Sequence, residues 1–295
     1  MRASYPLYRL GLWLGGRLPD AAVWRLADWV SDVQWRQASA DRDTVGRNLS
    51  LALGAPVSAR SPLVRDVFRN FGRYLAEFFQ GLNGRPVELH VDGQHYLEAA
   101  NAAGRGTILL SAHVGNWELL GALIVQQWRL PLSAVALPHG DARVDALFNR
   151  QRERHGIRVI PLGLGTTADC LSVLRRGQYL GLIGDWDFGT GGMPIPLFGR
   201  LVRLPRGPAM LSLRSRAPIV PVFLLREDRW TFRISIEPPI WPSSQDGAEP
   251  ASAREDSRLQ DLMTRYASAL ERSIRRAPTQ WLLFRPLAVP STPPS

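Results

Sequence analysis

The sequence contains no lysine; all 36 of its basic residues are arginine. That absence excludes a P-loop or kinase lysine, Schiff-base chemistry and pyridoxal-phosphate catalysis. Cysteine is nearly absent too. Cys170 stands alone, which leaves no internal disulfide, no C-x-x-C motif and no cysteine-rich zinc site. It sits in the helix-like run "TTADCLSVLRR" with no histidine beside it, a poor setting for a nucleophile. Long apolar runs are also missing, since no stretch reaches the roughly 20 apolar residues of a spanning helix. The N-terminus lacks the apolar core and small-residue cleavage site of a signal peptide. The expectation is a protein on the cytoplasmic side.

What is present is 295 residues, 45% of them hydrophobic, enough for one large or two small domains with a substantial core. The formal net charge of +10 suits an anionic partner: nucleic acid, an anionic membrane surface or a phosphorylated substrate. Charge alone does not choose among them.

Residues 4–37 carry Trp13, Trp24, Trp29 and Trp35 among leucines and spaced arginines, with a break at Pro19. They read as two amphipathic helices, suited either to a membrane interface or to covering the core. A packing helix over 62–82 follows, with Val64, Val67, Phe68, Phe71, Leu75 and Phe78 at three- and four-residue steps. From residue 87 strand-like runs alternate with helical ones: "VELHV", "TILLSA", "LSAVAL", "IRVIPL", "QYLGLIG", "PIVPVFLL" and "TFRISIE". This predicts an α/β fold, a mixed central sheet flanked by helices and preceded by the N-terminal amphipathic helices. A long helix over about 252–276, "PTQWLLFRPL" and a Pro/Ser tail complete the chain. The expected division is a helical membrane-association region (1–83), an α/β domain (84–286) and a disordered tail (287–295).

In an α/β sheet, ligands gather where strands end and helices begin. "TILLSAHVGNWELLGAL" (107–123) describes such a crossing, with the strand ending near Ala112 and the helix starting at Gly115 or Asn116. His113 then stands in the turn, Asn116 caps the helix, and Glu118 lies within reach of the imidazole. A carboxylate on one ring nitrogen leaves the other free to accept a proton, and the helix N-terminus favours an anion or a developing oxyanion. A general base is the functional reading, and a satisfied structural histidine the bland one.

"HVGNWE" strongly resembles the H-x-x-x-x-D/E signature of glycerolipid and lipid A acyltransferases. "GDWDFGTGGMPIPLFGR" (184–200) looks like a D-x-D-x-G followed by an apolar run and F-F-G, with Leu197 in place of the first phenylalanine. "VGRNLSLALG", "RGPAMLSLRSRAPIVPVF" and "APTQWLLFRP" also fit. Together they resemble the lipid A biosynthesis (late) acyltransferase family, lysophospholipid acyltransferase-like proteins that include phosphatidylinositol mannoside acyltransferases. The resemblance implies that His113 takes the proton of an acceptor hydroxyl, that Glu118 orients it, and that the alkoxide attacks an acyl thioester. No metal and no bound cofactor are implied; the co-substrate is an acyl carrier protein or coenzyme A thioester. The family also carries an arginine toward the end of the following helix. Arg150 matches it, with Arg152 and Arg154 as rivals, and would hold a phosphate or the oxyanion. Asp185 and Asp187 carry over by motif as substrate-binding residues, together with Asn116.

Other signals lead elsewhere. "DFG" (187–189) lacks the glycine-rich loop, the H-R-D segment and the lysine of a kinase. "GLGTT" (163–167) is an incomplete nucleotide fingerprint, and Ser111 is not in G-x-S-x-G. His90, His95, His139 and His155 lack metal-ligand spacing, although His139, in "LPHG", could line a cleft. The expectation is therefore an acyltransferase peripheral to the cytoplasmic face of the bacterial inner membrane. It would acylate a hydroxyl of a lipid A precursor or related glycolipid or phospholipid, with no nucleic-acid partner. The rival is a non-catalytic basic protein that binds membrane or nucleic acid.

Overall fold

The computed structural model describes residues 5–82, 86–188, 191–242 and 251–287. Four helices come first: α1 (Tyr5–Gly15), α2 (Asp20–Gln37), α3 (Ser39–Leu53) and α4 (Pro62–Gln80). Pro19 separates the first two, as the sequence predicts. The start of α4 follows from local chemistry. Ser61 accepts a hydrogen bond from the Val64 N–H, and Pro62 occupies the first turn, where its missing donor costs nothing. The predicted apolar face of α4 packs on Val45 and Leu49 of α3 and on Leu282.

The remaining elements are β1 (Glu88–Asp92), α5 (Gln94–Ala102), β2 (Thr107–Ser111), α6 (Trp117–Trp128), β3 (Leu132–Ala136), α7 (Ala142–Arg154) and β4 (Arg158–Pro161). After them come α8 (Thr166–Arg175), β5 (Tyr179–Ile183), β6 (Met193–Leu197), β7 (Arg200–Leu204), α9 (Gly207–Ser215), β8 (Ile219–Asp228), β9 (Thr231–Ile236) and α10 (Ala251–Arg276). A 3-10 turn spans Pro278–Gln280. The seven-stranded sheet runs β1-β9-β8-β2-β5-β3-β4. Its pairs are parallel except β8 with β9, so the sheet is mixed, as the alternating pattern predicts.

Burial explains the apolar runs. All five residues of β2 are buried, because helices cover both faces of its parallel sheet. Successive side chains point to opposite faces. Ile108 and Leu110 join the core under α8, α9 and α10, while Leu109 joins the one under α5 and α6.

Three elements lie outside the sequence reading. The buried face of α3 includes Thr44, Gly46 and Asn48 as well as Val45, Leu49 and Ala52, so apolar spacing alone does not reveal it. Helix α5 is short, at nine residues. The end of the motif read over 184–200 forms, with the residues up to 204, a hairpin of β6 and β7, turned by Phe198 (φ 53°) and Gly199 (φ 74°). Two consecutive positive φ values match the twist of a tight hairpin. Of the expected disordered tail (287–295), Leu287 is instead buried in the core, and 288–295 lie outside the described residues.

Candidate active site

Strands β2 and β5 are parallel neighbours, with Ser111 opposite Ile183. The Gly184 N–H donates to the Ser111 carbonyl at 2.9 Å and continues the pairing one step. His113 and Asp185 each stand two residues past the end of their strand, so register alone makes them neighbours at the carboxyl edge of the sheet. Asp185 Oδ1 lies 2.8 Å from His113 Nδ1. Its Oδ2 accepts from the His113 backbone N–H at 3.1 Å and from the Trp281 indole N–H at 2.8 Å.

These contacts fix the protonation pattern. An ionised carboxylate only accepts, so Nδ1 carries a proton, and in the neutral ring Nε2 is the nitrogen with the lone pair. Asp185 is fully buried and the His113 ring is about one-quarter exposed. Burial pushes the Asp185 carboxyl up, but the His113 charge and the donors from His113 and Trp281 outweigh it, leaving Asp185 below the ordinary carboxylate range. The result is a charged anchor beneath an imidazole that opens to solvent.

The expected pairing of Glu118 with His113 is corrected. Both Glu118 oxygens accept from Arg152, from Nε at 2.9 Å and Nη2 at 2.5 Å, in a forked pair with side chains 8% and 12% exposed. Glu118 still lines the cleft beside His113, as does Arg152. The choice of Arg150 is corrected by the same contacts. Val144, Phe148 and Arg152, at four-residue steps on α7, all line the cleft, whereas Arg150 lies on another face. Its Nε donates to the Ala146 carbonyl on the exposed surface.

Asn116 caps α6 as predicted, its side chain accepting from the Leu119 N–H at 3.0 Å. It is buried, however, and its amide donates to Glu77 Oε2 at 2.8 Å. Glu77 is paired with Arg226 of β8, and Arg226 with Asn70, so Asn116 belongs to a buried polar tie rather than to a substrate surface. Asp187 is also turned inward, accepting from the Gly192 N–H at 3.1 Å, which makes it a brace for its own loop.

The turn between His113 and α6 is fastened on two sides. Gly115 donates to the Gln280 carbonyl, Asn116 N–H to the Leu224 carbonyl, and Leu282 N–H to the His113 carbonyl. Gly115 has φ 63°, and a Cβ there would lie 1.8 Å from the Leu224 carbonyl oxygen, so only glycine fits.

His113 opens into a cleft of about 930 Å³ over the carboxyl ends of β2, β3, β4 and β5. Apolar side chains such as Leu109, Leu120, Ile124 and Leu132 line one part, and arginines another. His139 reaches this lining, as expected, with its Nδ1 2.7 Å from Asp145. Cys170 borders the cleft as well, but burial and the nearby Asp169 push its thiol up to about 11, leaving little thiolate at neutral pH. Among the described residues no group of three histidine, cysteine or acidic side chains is placed to hold a metal ion. The sequence reading missed Trp281 and the direct contact of Asp185 with His113. The only available signal was the presence of both in family-like motifs.

The signature of bacterial lipid A biosynthesis acyltransferases matches residues 3–287. The phosphatidylinositol mannoside acyltransferase of Mycobacterium tuberculosis is 29% identical over 286 residues, covering 93% of this chain and 85% of that protein. Its counterpart in Mycolicibacterium smegmatis is 27% identical over 297 residues, covering 92% of each. The crystal structure of a 1-acyl-sn-glycerophosphate acyltransferase from Thermotoga maritima aligns over 84% of this chain and 98% of its own at 12% identity. Its TM-score is 0.38, too slight a likeness to argue from.

Proposed function

Because the chain belongs to the bacterial lipid A biosynthesis acyltransferase family, and so is an acyltransferase acting on lipids or glycolipids, we propose a specific reaction for it. A fatty acyl chain passes from the thioester of an acyl carrier protein or coenzyme A to a hydroxyl of a membrane glycolipid or phospholipid. The observation that carries this reading is the buried Asp185 holding Nδ1 of a cleft-facing His113. Nε2 takes the proton of the acceptor hydroxyl as its oxygen attacks the thioester carbonyl. The carbon–sulfur bond then breaks, and the imidazolium returns the proton to the departing thiolate. The apolar part of the cleft suits the acyl chain, and the Arg152–Glu118 pair braces the cleft wall between α6 and α7.

The names of both mycobacterial relatives favour a mannosylated phosphatidylinositol or similar glycolipid over a lipid A precursor as acceptor. The site of action proposed is the cytoplasmic face of the inner membrane, with peripheral attachment. Among the described residues no helix is long and apolar enough to cross a membrane. Leu7, Leu10, Trp13 and Trp29 on α1 and α2 stand 50–64% exposed, a set of apolar and indole side chains suited to the headgroup layer.

The test is mass spectrometry of lipids from host cells lacking the protein, complemented with wild type or His113→Ala. One lipid should lose the mass of a single acyl chain, and only wild type should restore it. The purified variant should keep its fold and lose on the order of 10²–10⁴ in turnover. Full transfer by His113→Ala would overturn the mechanism.

A further inference from the structure

The arginines of the cleft differ in how they are held. Arg152 is committed to Glu118. Three others line the cleft from separate positions: Arg206 just before α9, Arg214 in its last turn, and Arg285 in the C-terminal segment. None of these three guanidinium groups forms an ion pair or donates a hydrogen bond among the described residues. Arg285 instead lies over the Trp186 ring, 5.6 Å from its centroid.

The face that α9 turns to the cleft reads Arg206, Met210, Arg214, at four-residue steps. Such steps keep side chains on one helix face. The two arginines sit about 12 Å apart along the axis, given 1.5 Å per residue. Unpaired guanidinium groups converging on a cleft suit an extended ligand that carries a phosphate at one end.

Given the acyl-transfer reading above, we propose that Arg206 and Arg214, with Arg285, bind the phosphate of the acyl donor. This places the phosphate over α9 and leads the pantetheine arm from there across the cleft, with its thioester toward His113. The donor is the substrate whose phosphate is obligatory. Acyl carrier protein and coenzyme A both bear a phosphate ester at the end of the pantetheine arm away from the sulfur. An acceptor's phosphate depends on the acceptor, and where α7 borders the cleft the Asp141 carboxylate is already paired with Arg143.

Calorimetric binding of 4′-phosphopantetheine, coenzyme A, pantetheine and glycerol 3-phosphate to the full-length wild type and to Arg206→Ala/Arg214→Ala tests the assignment. The phosphorylated arms should bind wild type at least about tenfold more tightly than pantetheine, as expected for charge-assisted contacts. The double variant should lose that difference while keeping its melting temperature and its weak pantetheine binding. Equal binding of phosphopantetheine by wild type and variant, or no binding by wild type, overturns the proposal. Loss of glycerol 3-phosphate binding alone would assign these arginines to the acceptor and overturn it as well. Thioester-dependent transfer by wild type, measured in parallel, separates these failures from failure of the acyl-transfer reading itself.

Discussion

Asp185 takes three donors on two oxygens, and each has a separate consequence. The His113 ring donor sets the tautomer, the His113 backbone donor fixes the turn, and the Trp281 indole ties the carboxylate to the C-terminal segment. Replacing Asp185 with asparagine offers the imidazole an amide in place of an acceptor-only group, which removes the preference for a proton on Nδ1. Turnover should fall on the order of 10²–10⁴-fold with the acceptor KM little changed, and steady-state kinetics on the purified variant would show it. His113 was legible because it lies in a compact motif at a strand-to-helix junction. Its true carboxylate partner was not, because the two residues are 72 positions apart and meet only through the register of β2 with β5. Glu118, five positions from His113, was the partner that spacing suggested, and only the helical phase of α7 shows Arg152 occupying it.

Two elements allow sharper tests of the scaffold. Gly115→Ala would place a methyl 1.8 Å from the Leu224 carbonyl oxygen in a left-handed backbone, whereas Gly54→Ala, also at positive φ, meets nothing within 4 Å. The first should cost more than about 3 kcal/mol, or prevent folding, and the second only about 1 kcal/mol; thermal melts of both variants compare them. The pairing of α2 with α4 titrates. Asp32 accepts forked pairs from Arg65 and Arg69, whose hydrogen bonds hold its carboxyl well below the ordinary range. A carboxylate with a depressed folded pKa contributes its full stability above the unfolded value, about 3.9, and loses it as pH falls toward the folded one. Urea midpoints should therefore fall with acidification below about pH 4 in wild type, and less steeply in Asp32→Asn. Long periodic elements such as α4 and strands such as β2 were plain in the sequence. Helix α3 and the β6–β7 hairpin were not, because polar residues on a buried face and a Phe-Gly turn break the apolar spacing.

Across the whole molecule, the carboxyl edge of the sheet gathers the chemistry, while α1 and α2 present exposed tryptophan and leucine. If those helices meet the lipid surface, Leu10→Ala/Trp13→Ala/Trp29→Ala should sediment less with anionic phospholipid vesicles and keep its melting temperature. Undiminished co-sedimentation would assign membrane contact to another face. The net charge of +10 predicts that the remaining binding weakens with salt. The Trp281 link also has a consequence for the order of manufacture. His113 leaves the ribosome well before the indole that steadies its carboxylate and before Gln280 and Leu282, whose contacts fasten its turn. A nascent chain therefore carries the base long before it has a finished site, which is assembled only once residues 280–282 have emerged and folded back onto the turn after β2.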